Sequence, residues 1–419
     1  MKAVKLLYID PEHNHNKFYN MLELGNGQFQ VTYGRVGNTG VIVNYPMSDW
    51  DTKYREKKRK GYNDITEDTV IKTISTSTAN MNDLKPQIRQ LLETLNKYAK
   101  EAFKLNYTVE IRDVSEILVT RAQDIIDNIN KQLKIGADYR ILNMQLLKLY
   151  NTIPRKIKNV KDSLIPSEIN DATILDKVRD KMTIEQGLLD VIKGQLVKAT
   201  AADPSNLTKD VNKSKVLTYL DELGLDIEEV SDKEEKMLKV LMTDSSSRYI
   251  KGFKVTNFRT QNNFDKEVAK SKNKTTKLLF HGSRSENWFN IIKSGLVLHP
   301  DAHTSGKLFD HGIYFADVAD KSLGYIGGGR WNSSGRDNDN WLAVYEVHTG
   351  NMCTYNDLKN VPSNLQKNNG DADLAKFVPA NGFDSYFADS KIERRYSLAR
   401  HEFIIYDEHK CTIKYLIHL

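Results

Sequence analysis

The chain has 419 residues, 39% hydrophobic and 28% charged, with a formal net charge of +6; this is an ordinary globular composition with a mild basic excess, long enough for about two to four domains. Cysteine is limited to Cys353 and Cys411, neither in a paired motif with histidines, which excludes a disulfide framework and a structural zinc site. No apolar run approaches membrane-spanning length and the opening residues reach charge too quickly for a signal peptide, so a soluble intracellular protein with no membrane partner is expected.

From Met1 to about Asn63, short runs alternate apolar and polar residues between turn signals, as in Phe29 to Tyr33 after Gly25-Asn26-Gly27, and predict a small antiparallel sheet. Tyr33-Gly34-Arg35-Val36-Gly37 leads into a turn that holds Arg35 at a sheet edge. Trp50 to Tyr62 then carries Lys53, Arg55, Lys57, Lys58, Arg59 and Lys60 among Trp50, Tyr54 and Tyr62. Charge alone reads as a solvated helix face; the interleaved rings point to phosphate as a partner. Thr66 to Met81, rich in Thr, Ser and Asp, reads as a linker.

Helical periodicity follows. Leu84, Ile88, Leu91, Leu92, Leu95, Ala99 and Phe103 share one face, Val114, Ile117, Leu118, Ala122, Ile125, Ile126 and Ile129 another, and further helices are predicted near Ile141–Leu149 and Leu175–Val197. A helical bundle from Asn82 to Met242 is expected. Ser245-Ser246-Ser247 and the Lys/Asn-rich stretch Asn262–Lys277 flank a strand-like Ile250–Phe258 and mark entry to a last domain.

In that domain Leu278-Leu279-Phe280 reads as a buried strand ending in His281-Gly282-Ser283, which delivers an imidazole and an open backbone to a cleft. Glu286 to Leu296 has helical spacing, with Gly295 as its stop. His311-Gly312-Ile313-Tyr314-Phe315-Ala316 reads as a second strand, and in Lys321-Ser322-Leu323-Gly324-Tyr325 a hydroxyl and a ring stand three apart, on one helical face. Trp341–Val347 is strand-like, and Gly327–Asn340 and Asn364–Asp373 are polar loops. Glu402 opens the apolar strand Phe403-Ile404-Ile405, a costly position for a carboxylate without a partner or a task, and Cys411 to Leu419 alternates as a closing strand.

Taken together these stretches resemble the DNA-dependent members of the poly(ADP-ribose) polymerase family, in which a His-Gly-Ser strand end precedes Gly-x-Tyr-Phe-Ala, Lys-Ser-x-x-Tyr and a late glutamate. Tyr33-Gly34-Arg35 with the Lys-rich segment is similar to the WGR domain, and Leu149 to Pro154 with Leu188-Leu189-Asp190 to the helical regulatory domain. The resemblance implies a multidomain α+β protein: a small antiparallel β WGR-like DNA-binding domain at 1–68, a linker at 69–81, an all-α helical regulatory bundle at 82–242 and a mixed α+β ADP-ribosyltransferase domain at 243–419.

It implies NAD as ADP-ribose donor and no metal. His281, Tyr314 and Glu402 become catalytic; Gly282, Ser283, Asn287, Ser322 and Tyr325 bind NAD; Lys321 and Arg400 lie on the acceptor side. Tyr33, Gly34, Arg35, Lys57, Lys58 and Lys60 become DNA contacts, and Asp190 a regulatory carboxylate. Expected partners are DNA ends with phosphorylated termini and acceptor proteins, the chain itself included, in a nucleus or in a bacterial cytoplasm and nucleoid.

Four departures from the family pattern stand out. Tyr33 replaces the name-giving tryptophan, Gln186 replaces an acidic residue one turn before Asp190, Val297 replaces an arginine, and Arg400 replaces the tyrosine two residues before the glutamate. Poly(ADP-ribose) synthesis is the expectation, with mono-ADP-ribosylation of protein or DNA ends, or a catalytically weak DNA-end-binding scaffold, as alternatives.

Overall fold

The computed structural model describes residues 2–66, 81–109, 111, 114–166, 172–196, 218–298, 308–326, 339–367, 371–393 and 398–419. The linker expected at 69–81, apart from Met81, and the polar loop at 327–340, apart from Asp339 and Asn340, lie outside them. The chain divides into two compact units: one holds the described residues of 1–75 and 101–196, the other those of 76–100, 197–300 and 306–419.

In the first unit β1 (Ala3–Asp10), β2 (His15–Glu23), β3 (Gln28–Arg35), β4 (Val41–Pro46) and β5 (Asn63–Asp64) form an antiparallel sheet in the order β4-β3-β2-β1-β5. Period-two alternation sends Leu6, Tyr19, Met21, Phe29 and Val31 into one core, which α1 (Trp50–Arg59) closes by laying Trp50 edge-on against Phe29. After α2 (Pro86–Asn106), whose residues are shared between the two units, come α3 (Glu116–Lys134), α4 (Tyr139–Thr152) and α5 (Ala172–Leu196). Ser115 and Asp138 cap α3 and α4 by accepting backbone N–H bonds. Ala122, Ile126 and Ile129 pack with Leu142, Leu146, Leu189 and Ile192, whereas Ile117, expected on the apolar face, is 56% exposed because it sits in the first turn of α3, at the rim of the bundle. The Val160 amide donates to Asn14 Oδ1 at 2.9 Å, tying the segment between α4 and α5 to the sheet.

The second unit runs through α6 (Tyr219–Leu223), β6 (Leu225–Glu229), α7 (Asp232–Leu241), β7 (Lys251–Asn257), α8 (Phe258–Lys270), β8 (Thr276–Gly282), α9 (Trp288–Ser294), β9 (Ile313–Phe315), α10 (Ala319–Leu323) and β10 (Trp341–His348). It ends with β11 (Met352–Cys353), α11 (Leu374–Ala380), β12 (Ser385–Ala388), β13 (Glu402–Ile405) and β14 (Cys411–His418). One sheet has the order β6-β7-β14-β10-β8, the other β11-β12-β13-β9. A pair of backbone bonds between Phe280 and Ala316 stitches the end of β8 to the end of β9. That junction is where the two predicted motif strands meet.

β6 pairs with β7, and Leu238 and Met242 are fully buried with Phe280, Leu342 and Ile417, so β6 and α7, which precede residue 243, pack with this sheet. The Lys/Asn-rich stretch after β7 is in large part helix, opened by the Asn257 side chain and anchored by Phe264. β14 lies between β7 and β10 with both faces covered, which is why Thr412 and Leu416 are as buried as the alternating apolar set.

Candidate active site

β8 carries His281 to the junction of the sheets. Its Nδ1 meets the Tyr314 carbonyl at 2.9 Å, and its ring is walled by Trp288, Phe315 and Tyr345 with centroids 5.7 to 6.4 Å away. Next in the strand, Gly282 lies so close to the Ser322 carbonyl that any Cβ would collide with it; only glycine permits this approach. Beyond the strand end, Asn287 Nδ2 donates to Ser283 Oγ at 3.0 Å, linking the two residues at the rim.

Tyr314 comes from β9. Its hydroxyl donates to the Asp310 carbonyl and accepts from the Phe309 amide, both at 2.8 Å, so the ring is fixed as a wall. Burial, with the Glu402 charge adding to it, pushes its pKa well above the usual range and keeps it neutral. Asp310 holds a positive φ of 63°, a strained conformation for a residue with a side chain, and its carboxylate accepts from the Leu374 amide at 2.6 Å.

The five-residue α10 supplies Lys321 and Ser322, and Tyr325 follows one turn on, its amide bonded to the Ser322 carbonyl. Burial raises the Tyr325 pKa, opposed by the Lys321 charge. β13 pairs with β9 and β12, so Glu402 enters the site from a strand hydrogen-bonded on both sides. Its side chain is 4% exposed; Oε1 takes the Lys321 ammonium at 2.6 Å, and Oε2 is buried without a partner among the described residues. Two cations near Glu402 in sequence are engaged elsewhere: Lys410 bonds Asp384, and Arg400 forks onto Asp320. His281, Gly282, Tyr314, Lys321, Ser322, Tyr325 and Glu402 therefore converge, Ser283 and Asn287 stand on the rim, and Arg400 lies two residues before the carboxylate. Sequence reasoning missed Asp320, Asp310, Trp288 and Tyr345, whose roles arise from contacts that no local pattern marks.

In the first unit the expected DNA-contact residues are partly engaged. Tyr33 is 38% exposed, and Gly34 packs against Gly40 and Phe18. The Arg35 guanidinium donates to the Asn14 carbonyl at 2.7 Å and the Lys158 carbonyl at 2.6 Å. Lys57 lies over the Tyr19 ring at 4.4 Å, and burial lowers its pKa; Lys60 pairs with Glu56 at 2.6 Å, and Lys58 is exposed. Asp190 belongs to a network in which Gln186 donates to it at 3.0 Å and to Gln123 at 2.8 Å. No group of metal-ligating side chains is present among the described residues, and no described helix is long and apolar enough to cross a membrane.

Residues 227–419 match the family model described as poly(ADP-ribose) polymerase catalytic domain, and with the converging site this defines an NAD-dependent ADP-ribosyltransferase. A protein of Invertebrate iridescent virus 6 named putative poly [ADP-ribose] polymerase-like 100L is 32% identical over 175 residues, 41% of this chain and 87% of its own. From the same virus, uncharacterized protein 101L is 29% identical over 188 residues, 45% of this chain and 75% of its own. Poly [ADP-ribose] polymerase 2-B of Oryza sativa subsp. japonica is 24% identical over 450 aligned positions, 97% of this chain and 70% of its own. The chain belongs to the poly(ADP-ribose) polymerase family.

Proposed function

We propose that this enzyme is activated by DNA breaks and transfers ADP-ribose from NAD to protein acceptors, itself included, in the response to DNA damage. The observation that carries the site assignment is Glu402: one carboxylate oxygen is held by Lys321, and the other is a buried acceptor that a ribose 2′-hydroxyl would satisfy. In this reading the Gly282 backbone and the Ser322 hydroxyl hold the nicotinamide amide, and Tyr314 and Tyr325 flank its ring. His281 and Ser283, with Asn287 supporting Ser283, hold the adenosine-side ribose.

The transfer balances simply. An acceptor oxygen bonds to the ribose anomeric carbon as the carbon–nitrogen bond breaks, the electron pair leaves with nicotinamide, and the acceptor proton passes to Glu402 and on to solvent. Positive charge developing on the sugar is stabilised by the same carboxylate. The dry walls around it strengthen that interaction.

A phosphorylated DNA end binds at Tyr33, Gly34, Arg35 and Lys58, with Lys57 and Lys60 adding positive charge. The phosphate competes for Arg35 with the carbonyls of Asn14 and Lys158, and so loosens the tie between sheet and helices. Asp190 and its glutamine network are the regulatory contact of the helical bundle. NAD consumption by the purified chain, with and without short duplexes bearing phosphorylated ends, tests this reading. Strong stimulation by DNA that Arg35→Ala abolishes supports it; turnover indifferent to DNA removes the sensor.

A further inference from the structure

Two adjacent residues of α10 face the entry to β13 through two ion pairs. Lys321 meets the buried Glu402, while Asp320 meets the exposed Arg400 two residues before it, with Nη2 at 2.8 Å and Nε at 3.2 and 3.3 Å from the carboxylate oxygens. The second pair is bidentate, a geometry in which a guanidinium accepts a phosphate as readily as a carboxylate. Its side chains are 52% and 49% exposed, so the pair is weak and open to competition. Nη1 also donates to the Ala399 carbonyl at 3.3 Å, and the charges of Asp244 and Asp317 act on the same guanidinium from further away.

We propose that Asp320 is a specificity-determining residue of the acceptor side: by engaging Arg400 it withholds the guanidinium from the pyrophosphate of an incoming ADP-ribose chain end and keeps products short. The inference rests on the transferase reading of the same site. Elongation repeats the transfer balanced above, with a hydroxyl of the bound chain end as acceptor, so its rate depends on how firmly that end's phosphates are held beside Glu402. Asp320 opposes this twice. It occupies the donors that match a phosphate, and it sets a negative charge where the phosphate must come.

The full-length chain with Asp320→Asn tests the proposal. Product length on a sequencing gel is expected to rise roughly two- to fivefold, the gain that release from a weak exposed pair allows, with KM for NAD unchanged. Asp320→Glu restores the parental length, and adding Arg400→Ala to Asp320→Asn cancels the gain. Unchanged length in Asp320→Asn, or lengthening that survives Arg400→Ala, overturns it. Calorimetric binding of inorganic pyrophosphate reads the same contact without turnover: Asp320→Asn should bind two to five times more tightly, and equal affinity sinks the proposal. Absence of nicotinamide release from the parental chain, with the pyrophosphate difference intact, would instead strike the transferase reading.

Discussion

In the helical bundle Glu185 meets Arg155 at 2.9 Å, and in the catalytic unit Glu402 meets Lys321 at 2.6 Å, each carboxylate less than a tenth exposed. The bundle pair has a cation that also covers the Tyr107 ring at 4.6 Å, and its buried atom without a hydrogen-bond partner among the described residues is a donor, Arg155 Nη1. At the site the buried atom without one among the described residues is an acceptor, Glu402 Oε2. A planar guanidinium spread over a ring locks helices together; a single-point ammonium on one oxygen leaves the other oxygen for a hydroxyl. The same charge chemistry thus fills a bundle interior in one region and, in the reading proposed above, serves the reaction in the other.

The contrast predicts which loss each region feels. Glu402→Gln is expected to lower nicotinamide release by roughly 10²–10⁴-fold while leaving the unfolding transition in place; retained turnover would make this pair merely structural. Glu185→Ala should cost about 3–5 kcal/mol of stability in denaturant titration, because a buried guanidinium loses its partner, and Glu185→Leu with Arg155→Met should recover most of it. A small loss in the single variant would erase the distinction. Gly282→Ala, whose new methyl meets the Ser322 backbone carbonyl, should reduce kcat/KM for NAD by about 10- to 100-fold and also lower the melting temperature, because backbone must shift to admit it; values like those of the parent would show that the close approach is dispensable.

The smallest effect concerns a third lysine in this unit. Half-buried Lys293, whose ammonium lies over the Phe289 ring, has its pKa lowered by burial to about 8. The unfolded chain then binds more protons between about pH 8 and 10.5, so stability rises with pH across that window and the burial penalty is fully present below it. Lys293→Met should stabilise the protein by about 1 kcal/mol at pH 7, after allowance for partial exposure, with the gain gone near pH 10.5. An equal gain at both pH values would show that packing, not charge, is responsible.

Much of the catalytic unit was legible because its motifs sit at the ends of elements or in very short ones: His281 and Gly282 close β8, Tyr314 is the middle of the three-residue β9 and Glu402 opens β13. The elements before β8 carry weaker signals. β6 has only Leu225 and Ile227 as apolar residues among acidic ones, so next to α7 it reads as more helix. Likewise α8 buries one large apolar side chain, Phe264, under a polar exterior. Glu185 and Arg155 carry no sequence signal that marks them as interior, and only the fold places their side chains at about a tenth exposure or less. Pairings such as Lys321 with Glu402 join residues remote in sequence, and no local signal carries them.

Asp320, Lys321 and Ser322 stand side by side on one short helix, where Asp320 pairs with Arg400 and Lys321 with Glu402; in the reading proposed above, each faces a different side of the reaction: acceptor, catalytic carboxylate and leaving group. Inserting or deleting a single residue there would turn all three by about 100° together. On that reading, donor and acceptor preferences are mechanically linked through α10 for anyone redesigning the enzyme, and independent tuning has to begin from β13 and the residues before it, where Arg400 and Glu402 are separate handles.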